Sequence, residues 1–243
     1  AGQMGPRGNV VASRLAKEAD VILALGTRLG FNSTFFSYDN ININSSIIQV
    51  ELEPTALGRY FPISLGIWGD ARQVASQIYE SINKVKFTNE VNQWTQKFQN
   101  ERKEFLLKRD LNADMNLQPI QPSGLFKELR EIIPPNAIIT MDAGTLCLQA
   151  TDSLNYYKPK SLFTPLDFGL VGFSYSCGLG VKVANPSRPV ISLMGDGGFG
   201  MTLSEISTAV SYGINTITLV LNNKCWGAEK AYQRDFFGER YIG

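Results

Sequence analysis

The chain has 243 residues, 44% of them hydrophobic, and a formal net charge of +1 at pH 7. This length allows one or two domains with apolar cores, and the small charge gives no argument for a nucleic acid or a membrane as partner. The absence of His excludes Ser-His-Asp and Cys-His catalysis and imidazole metal ligands within this chain, and the three cysteines lack the spacing of a disulfide framework or a zinc site.

The first part of the chain alternates helical and extended segments. In chain order, the patterns predict a helix at 9–19, strands at 21–25, 47–52 and near 63–67, and a helix at 71–82. This rhythm is typical of a parallel α/β sheet. Residues 86–118 are polar and charged, and Trp94, Phe98 and Phe105 have a spacing compatible with one face of a helix. We therefore predict a connecting helix there.

A second α/β unit begins near Gln121 and runs to the end of the chain. Its pattern predicts helices at 124–132, 172–184 and 201–212, and strands at 137–141, 190–194 and 216–221. The predicted fold class is α/β, with two parallel-sheet, three-layer domains joined by a helical linker. The expected boundaries are a partial, Rossmann-like domain at 1–85, the linker at 86–118 and the second domain at 119–243.

The glycine-rich stretch Gly195-Asp196-Gly197-Gly198-Phe199-Gly200 follows a buried strand, and two asparagines end the next strand. Consecutive parallel strands joined by a right-handed crossover usually lie side by side. Asp196 and Asn223 should therefore emerge from neighbouring carboxyl ends of one sheet, where ligands of open α/β sheets bind.

The chemistry of this stretch favours a metal-assisted diphosphate site. A dinucleotide site, which the glycine spacing would also allow, needs an acidic residue where amides stand here, and a P-loop needs a Lys that the stretch lacks. An Asp would repel a diphosphate unless a cation stood between them. We predict Mg²⁺ bound by the Asp196 carboxylate, the Asn223 side-chain oxygen, a main-chain carbonyl and two phosphate oxygens. A plain strand-to-helix turn and a dinucleotide site remain the alternatives.

The Gly-Asp-Gly sequence and the later Asn-Asn pair resemble, at this spacing, the thiamine diphosphate motif of the acetolactate synthase, pyruvate oxidase and pyruvate decarboxylase superfamily. The resemblance implies thiamine diphosphate and Mg²⁺ as cofactors, with Asp196, Asn223 and the main-chain carbonyl of Cys225 as metal ligands. It also implies that the stretch from Gly195 contacts the diphosphate, through the amides of Gly197 and Gly198.

Two segments further upstream extend the resemblance. Residues 165–173, Pro-Leu-Asp-Phe-Gly-Leu-Val-Gly-Phe, resemble the family segment that lies against the pyrimidine ring. The resemblance makes Val171 an apolar wedge that bends the cofactor and turns the Gly169 carbonyl towards its amino group, although an ordinary glycine-rich helix entry is the alternative. After the strand at 137–141, the residues Asp142-Ala143-Gly144-Thr145 match a family loop that touches the diphosphate, with Gly144 and Thr145 as the expected contacts.

In this superfamily three α/β domains follow one another, and the sequence resembles the latter half of the middle domain and most of the third. The family's activating Glu belongs to the first domain, so no catalytic residue can be assigned here, and we expect a fragment that does not turn over alone. Family active sites form between subunits, which implies a homodimer or homotetramer. Some relatives hold FAD or ADP in the middle domain, but Arg28 is the only obvious anion partner at 19–29, and FAD is not predicted.

The segment after Asn223 bears on the substrate. Residues 224–230, Lys-Cys-Trp-Gly-Ala-Glu-Lys, with Gln233, Asp235 and Phe236, resemble sulfoacetaldehyde acetyltransferases more than typical acetolactate synthases. The resemblance implies acetyl transfer to phosphate with release of sulfite. Alternatives are an acetolactate synthase-like ligase of 2-oxo acids, a non-catalytic homologue and an NAD-binding protein. Lys230 and Arg234 could attract a sulfonate or phosphate, or could be solvated charges.

The expected partners are therefore small molecules, a 2-oxo acid or an aldehyde and possibly phosphate. No apolar run is long enough to span a bilayer and no basic-apolar-small leader is present, so we expect no membrane association and a cytoplasmic location.

Overall fold

The structure is a computed structural model that describes residues 2–5, 8–82, 85–86, 88–111, 113–165 and 168–242. The chain divides into two units, Ala1–Leu111 and Asn112–Gly243. Leu166 and Asp167, which belong to the pyrimidine-side segment of the sequence analysis, lie outside the described residues.

The first unit is built on a small parallel sheet with strand order β1-β2-β3. Its elements are α1 (Val10–Glu18), β1 (Val21–Leu25), α2 (Phe31–Thr34), β2 (Ser46–Glu51), a 3₁₀ turn (Pro54–Ala56), β3 (Leu65–Trp68), α3 (Ala71–Ile82) and α4 (Asn89–Leu111). The predicted helices and strands are confirmed, whereas α2 and the 3₁₀ turn were not predicted. Helix α1 begins after Asn9, whose side chain accepts a hydrogen bond from the Ala12 amide at 2.8 Å.

The helix predicted within residues 86–118 is confirmed as α4, and it packs on α1. Lys97 of α4 forms an ion pair with Glu18 at 3.1 Å, and Arg14 pairs with Glu101. Phe98 is buried and contacts Trp94, with 5.0 Å between the ring centroids. Helix α4 therefore belongs to the first unit through side-chain packing.

The second unit is a four-stranded parallel sheet with strand order β5-β4-β6-β7. Its elements are α5 (Pro122–Ile132), β4 (Ile138–Met141), α6 (Thr145–Ser153), β5 (Leu162–Phe163), α7 (Phe173–Ala184), β6 (Val190–Gly195), α8 (Asp196–Thr202), α9 (Glu205–Tyr212), β7 (Ile217–Leu221) and α10 (Gly227–Phe236). Helix α6 and strand β5 were not predicted.

Helices cover both faces of the second sheet. Successive residues of a strand point to opposite faces, and in β6 Leu193 packs in the cluster of Phe126 on α5, whereas Met194 packs in that of Leu179 on α7. All of Val190 to Met194 is buried, as expected for a central parallel strand. This arrangement confirms the predicted three-layer α/β fold for this unit.

The predicted helix at 201–212 was wrong in its beginning and its continuity. Helix α8 begins at Asp196, directly after extended Gly195, and α9 follows after Leu203 and Ser204. Those two residues keep helical dihedral angles, but the bonds there, such as Ile206 N to Leu203 O at 3.2 Å, span only three residues. The glycines at 195–200 suggested a loop before the helix, whereas the helix already begins within this glycine-rich segment.

No helix within the described part of the chain has the length and apolarity needed to cross a membrane.

Candidate cofactor site

Three neighbouring strands of the second sheet end beside one another. Gly195, the last residue of β6, is in register with Leu221, the last residue of β7, and β4 pairs with β6 on its other side. Asp142 directly follows β4 and Asp196 directly follows β6. The structure therefore brings Asp196 and the residues after β7 to one edge of the sheet. The sequence analysis predicted this from the connection between the two strands.

Asp196 and Asn223 are in contact at this edge. The Asn223 amide donates to Asp196 Oδ1 at 3.4 Å, and Asn223 Oδ1 accepts from the Cys225 amide at 3.2 Å. Lys224 has a left-handed φ of 58°, and its amide donates to Asn222 Oδ1 at 2.9 Å. Two side-chain-to-main-chain turns thus hold the 222–225 loop, and the Asn223 main-chain amide attaches it to the Asp196 carboxylate.

These donors fit a hard cation. Carboxylate and amide oxygens are ligands that Mg²⁺ accepts, and Mg²⁺ commonly uses one or two protein side chains with phosphate and water oxygens. Across the residues that the structure describes, no group of three His, Cys, Asp or Glu side chains could hold a metal ion. A cation beside Asp196 and Asn223 would therefore need additional oxygens from main-chain carbonyls, water or a bound phosphate.

Gly197 and Gly198 lie in the first turn of α8. Gly195 is the N-cap and provides no side-chain cap to the first amides of this helix. A Cβ at Gly197 would lie 3.2 Å from Trp226 Nε1, and a Cβ at Gly198 would lie 2.0 Å from Asp142 Oδ2. Both glycines are therefore constrained by tertiary neighbours, which sequence reasoning did not foresee.

Asp142 begins the loop that the sequence analysis matched to the family, but the sequence assigned it no role of its own. It is only 3% exposed, and its carboxylate accepts from the amides of Ala143, Gly172 and Phe173 at 2.9, 3.0 and 3.1 Å. Burial raises the pKa of Asp142, and the three amide donors oppose that rise. The signal available in the sequence was an Asp directly after a buried strand.

The segment before α7 borders an open cavity of about 550 Å³. Val171 and Leu170 line it together with Cys177 of α7 and Met201 of α8. Gly169 and Gly172 have φ values of 69° and 87°, in the left-handed region that favours glycine. The chain conformation therefore presents Val171 at the wall of a cavity that reaches α8.

The predicted residues Gly144 and Thr145 lie at the start of α6, directly after the β4 end. They occupy the β4 side of the edge, whereas Asn223 and Cys225 occupy the β7 side. Cys147, one turn into α6, is buried, and burial raises the pKa of its thiol to about 12.

Helix α10 begins just after the 222–225 loop. Trp226, its N-cap, lies against Gly197, so this segment borders the first turn of α8. Arg234 pairs with Asp235 at 2.6 Å, and Lys230 Nζ lies 5.7 Å from the Tyr241 ring centroid. Both basic side chains therefore already contact neighbours, which weakens the idea that they attract an anion.

The fold and the edge together define a parallel α/β protein that can hold an anionic cofactor through a cation. Residues 142–243 match the family described as "Thiamine pyrophosphate enzyme, C-terminal TPP binding domain". Residues 1–78 match "Thiamine pyrophosphate enzyme, central domain". The chain belongs to the thiamine diphosphate-dependent enzymes, whose cofactor is thiamine diphosphate, typically with Mg²⁺. The resemblance drawn from the Gly-Asp-Gly and Asn-Asn motif is confirmed.

Curated relatives support the same family. The chain is 33% identical to a sulfoacetaldehyde acetyltransferase of Castellaniella defragrans, over 99% of this chain and 44% of the relative. It is 31% identical to one from Alcaligenes xylosoxydans xylosoxydans, over 100% and 44%, and 31% identical to an acetolactate synthase large subunit of Buchnera aphidicola, over 98% and 41%. The chain thus spans less than half the length of these relatives.

Proposed function

We propose that the chain supplies the diphosphate side of a thiamine diphosphate- and Mg²⁺-dependent active site. The observation that carries this proposal is the contact of Asp196 with Asn223 at the β6 and β7 ends, within the residues that match the family's cofactor-binding domain. This contact, through the Asn223 main-chain amide, brings a carboxylate and an asparagine to one edge, and a cation bound by both side chains would complete its coordination on phosphate oxygens.

Each predicted residue has a role in this proposal. Asp196, Asn223 and the carbonyl of Cys225 hold Mg²⁺. The first turn of α8, which begins after Gly195, directs the amides of Gly197 and Gly198 at the diphosphate, where the helix N-terminus favours negative charge. On the other strands, Gly144 and Thr145 approach the diphosphate, and Val171 and the Gly169 carbonyl face the remainder of the cofactor.

We further propose that the complete enzyme is a sulfoacetaldehyde acetyltransferase, which transfers acetyl to phosphate and releases sulfite. Two relatives of that name align over almost the whole chain, and Trp226, in the segment that suggested this subgroup, lies against Gly197 of the site. When bound, thiamine diphosphate supplies a nucleophilic carbon and an electron sink for acyl chemistry. The chain's own residues bind and orient it, and the activating Glu is predicted outside these residues.

Calorimetry of thiamine diphosphate binding to the full-length protein tests the site. With Mg²⁺ present, Asp196→Ala and Asn223→Ala should each weaken binding at least about 100-fold, or about 2.8 kcal/mol, because each removes a metal ligand. The matched control is Asn155→Ala, which removes an exposed amide that donates to Tyr157 beyond the end of α6. Unchanged affinity in both ligand variants would overturn the site assignment, as would wild-type binding that persists when a chelator removes the metal.

An acetolactate synthase-like reaction is the second candidate, favoured by the Buchnera relative at 31% identity. Sulfite release from sulfoacetaldehyde in the presence of phosphate supports the first reaction. Release of carbon dioxide from a 2-oxo acid, with no sulfite released from sulfoacetaldehyde, supports the acetolactate synthase-like reaction. Saturable NAD binding without metal would instead indicate a nucleotide-binding protein, and metal-dependent cofactor binding without turnover in the full-length protein would indicate a non-catalytic homologue.

The remaining assignments are part of the same proposal. We propose a partial middle domain at 1–85, a helical linker at 86–118 whose helix α4 packs on that domain through α1, and the cofactor domain at 119–243, in a cytoplasmic homodimer or homotetramer. Size-exclusion chromatography with light scattering on the full-length protein tests the oligomeric state. A monomer that binds the cofactor and turns over would contradict an active site shared between subunits.

A further inference from the structure

The Asp142 carboxylate joins parts of the chain that are distant in sequence. Its Oδ1 accepts from the amides of Ala143 and Phe173, and its Oδ2 accepts from the Gly172 amide. Gly172 is the N-cap of α7 and has no side chain with which to cap that helix. A carboxylate from the end of β4 therefore takes the place of a local capping group.

The same carboxylate also meets the first turn of α8. Asp142 Oδ2 fills the space beside the Gly198 Cα, because a Cβ built there would lie only 2.0 Å away. Gly172 packs on the other end of this helix, where its own Cβ would meet Met201 at 3.0 Å and Thr202 at 3.1 Å. Asp142 thus lies where β4, the residues before α7 and helix α8 converge.

A separate polar seam, formed by Thr140, Ser174 and Ser192, already attaches α7 to the sheet. Thr140 Oγ1 lies 3.0 Å from Ser192 Oγ and donates to the Ser174 carbonyl at 2.9 Å, and Ser174 Oγ donates to the Thr140 carbonyl at 2.8 Å. All three side chains are buried. This seam anchors the body of α7. The bonds of Asp142 to the Gly172 and Phe173 amides therefore mainly fix the start of the helix, and with it the preceding residue, Val171.

We propose that Asp142 is a positioning residue of the cofactor site, which holds the Val171–Gly172 segment against the first turn of α8. This inference rests on the proposed function. The carboxylate links the wall that carries Val171 to the turn that carries the diphosphate amides. Their relative position is thereby set by one buried side chain.

The test compares Asp142→Asn with two controls in the full-length protein. Asn has nearly the same shape but replaces one acceptor oxygen with an NH₂ group, which cannot accept from an amide. Glu131→Gln makes the same chemical change on an exposed side chain of α5. Ser192→Ala weakens the polar seam and should lower the thermal midpoint without disturbing the Asp142 bonds.

Two readouts decide the proposal. Without cofactor, amide hydrogen exchange at Gly172 and Phe173 should be at least about tenfold faster in Asp142→Asn and unchanged in both controls, because the lost acceptor protects those amides. With Mg²⁺, calorimetry should show thiamine diphosphate bound about tenfold more weakly by Asp142→Asn, whereas Ser192→Ala binds normally. If Asp142→Asn does not fold, Asp142→Ser, with one short acceptor, replaces it in both measurements.

The outcomes separate the two proposals. If wild type binds the cofactor and Asp142→Asn binds it equally well, or no more weakly than Ser192→Ala, Asp142 has no positioning role and the proposed function stands. Unchanged amide exchange at Gly172 would also overturn the role of Asp142. If wild type itself fails to bind thiamine diphosphate with Mg²⁺, the proposed function fails, and the Asp142 proposal fails with it.

Discussion

Adding a single methyl group at Gly198 should destabilise the second unit. A carbon and a carboxylate oxygen do not approach closer than about 3 Å, yet a Cβ at this position would lie 2.0 Å from Asp142 Oδ2. Asp142 is buried and held by three amides, so it has no open space into which it can move cheaply. In Gly198→Ala, either α8 shifts or the carboxylate leaves the amides of Gly172 and Phe173.

The magnitude follows from the bonds that would be lost. One buried and one partly buried amide left without an acceptor cost about 1–3 kcal/mol each, and Ala gains up to about 1 kcal/mol over Gly inside a helix. The expected net loss is about 1–5 kcal/mol, centred near 3. For a chain of this length that lowers the thermal midpoint by roughly 6–12 °C.

Two other glycines of the same helix serve as matched controls. Nothing lies within 4 Å of a Cβ at Gly200, so Gly200→Ala should stabilise by about 0.5–1 kcal/mol. A Cβ at Gly197 would lie 3.2 Å from the ring of Trp226, which is 47% exposed and can move, so Gly197→Ala should change stability by less than about 1 kcal/mol.

Urea unfolding of the three variants measures the series. The expected order of stability is Gly200→Ala first, then wild type with Gly197→Ala, and Gly198→Ala last. In an Asp142→Ala background the Gly198→Ala change should become nearly neutral, because the clashing oxygen is gone. The reasoning is refuted if Gly198→Ala is as stable as Gly200→Ala, or if removal of the Asp142 carboxylate leaves its cost unchanged.

Three further predictions concern the same unit. Val171→Ala should slow deuterium exchange at the cofactor C2 more than it weakens cofactor binding, because it removes wall contact without touching the metal ligands; a native exchange rate, measured by NMR, would disprove the wedge role. At pH 8 iodoacetamide should leave Cys147 unmodified in the native protein, because a pKa of about 12 leaves about one thiol in 10⁴ ionised; modification of Cys147 at the rate seen in urea, followed by mass spectrometry, would contradict its burial. Burial raises the Asp142 pKa, so its protonation favours the folded state: that stabilisation is complete below the ordinary carboxyl pKa and is lost as pH rises through the raised value. Urea unfolding at a series of pH values across this range should show the free energy of unfolding of wild type falling relative to that of Asp142→Asn. If the two free energies change in parallel with pH, the Asp142 pKa is not raised.

The local pattern was enough to predict most of the elements. The apolar run of β6 and the boundaries of α3 agree with the structure, because burial and helical periodicity are written in neighbouring residues. The pairing of β6 with β7 followed from chain connectivity alone, and it brought Asp196 beside Asn223. Strand β5 escaped prediction because its two residues carry no periodicity, and α6 because its nine residues mix small, polar and apolar side chains without a clear apolar face.

The sequence by itself determined the class of the protein. Asp196 and Asn223 offer the oxygen ligands that a cation bound to a diphosphate needs, and this need does not depend on exact packing. The tertiary structure alone decided why Gly197 and Gly198 have no side chain and which residue caps α7. Those facts depend on Trp226 and Asp142, which approach α8 from other strand ends. Contacts between segments far apart in the sequence leave no periodic trace in the chain, so the role of Asp142 appears only when β4, α7 and α8 are folded together.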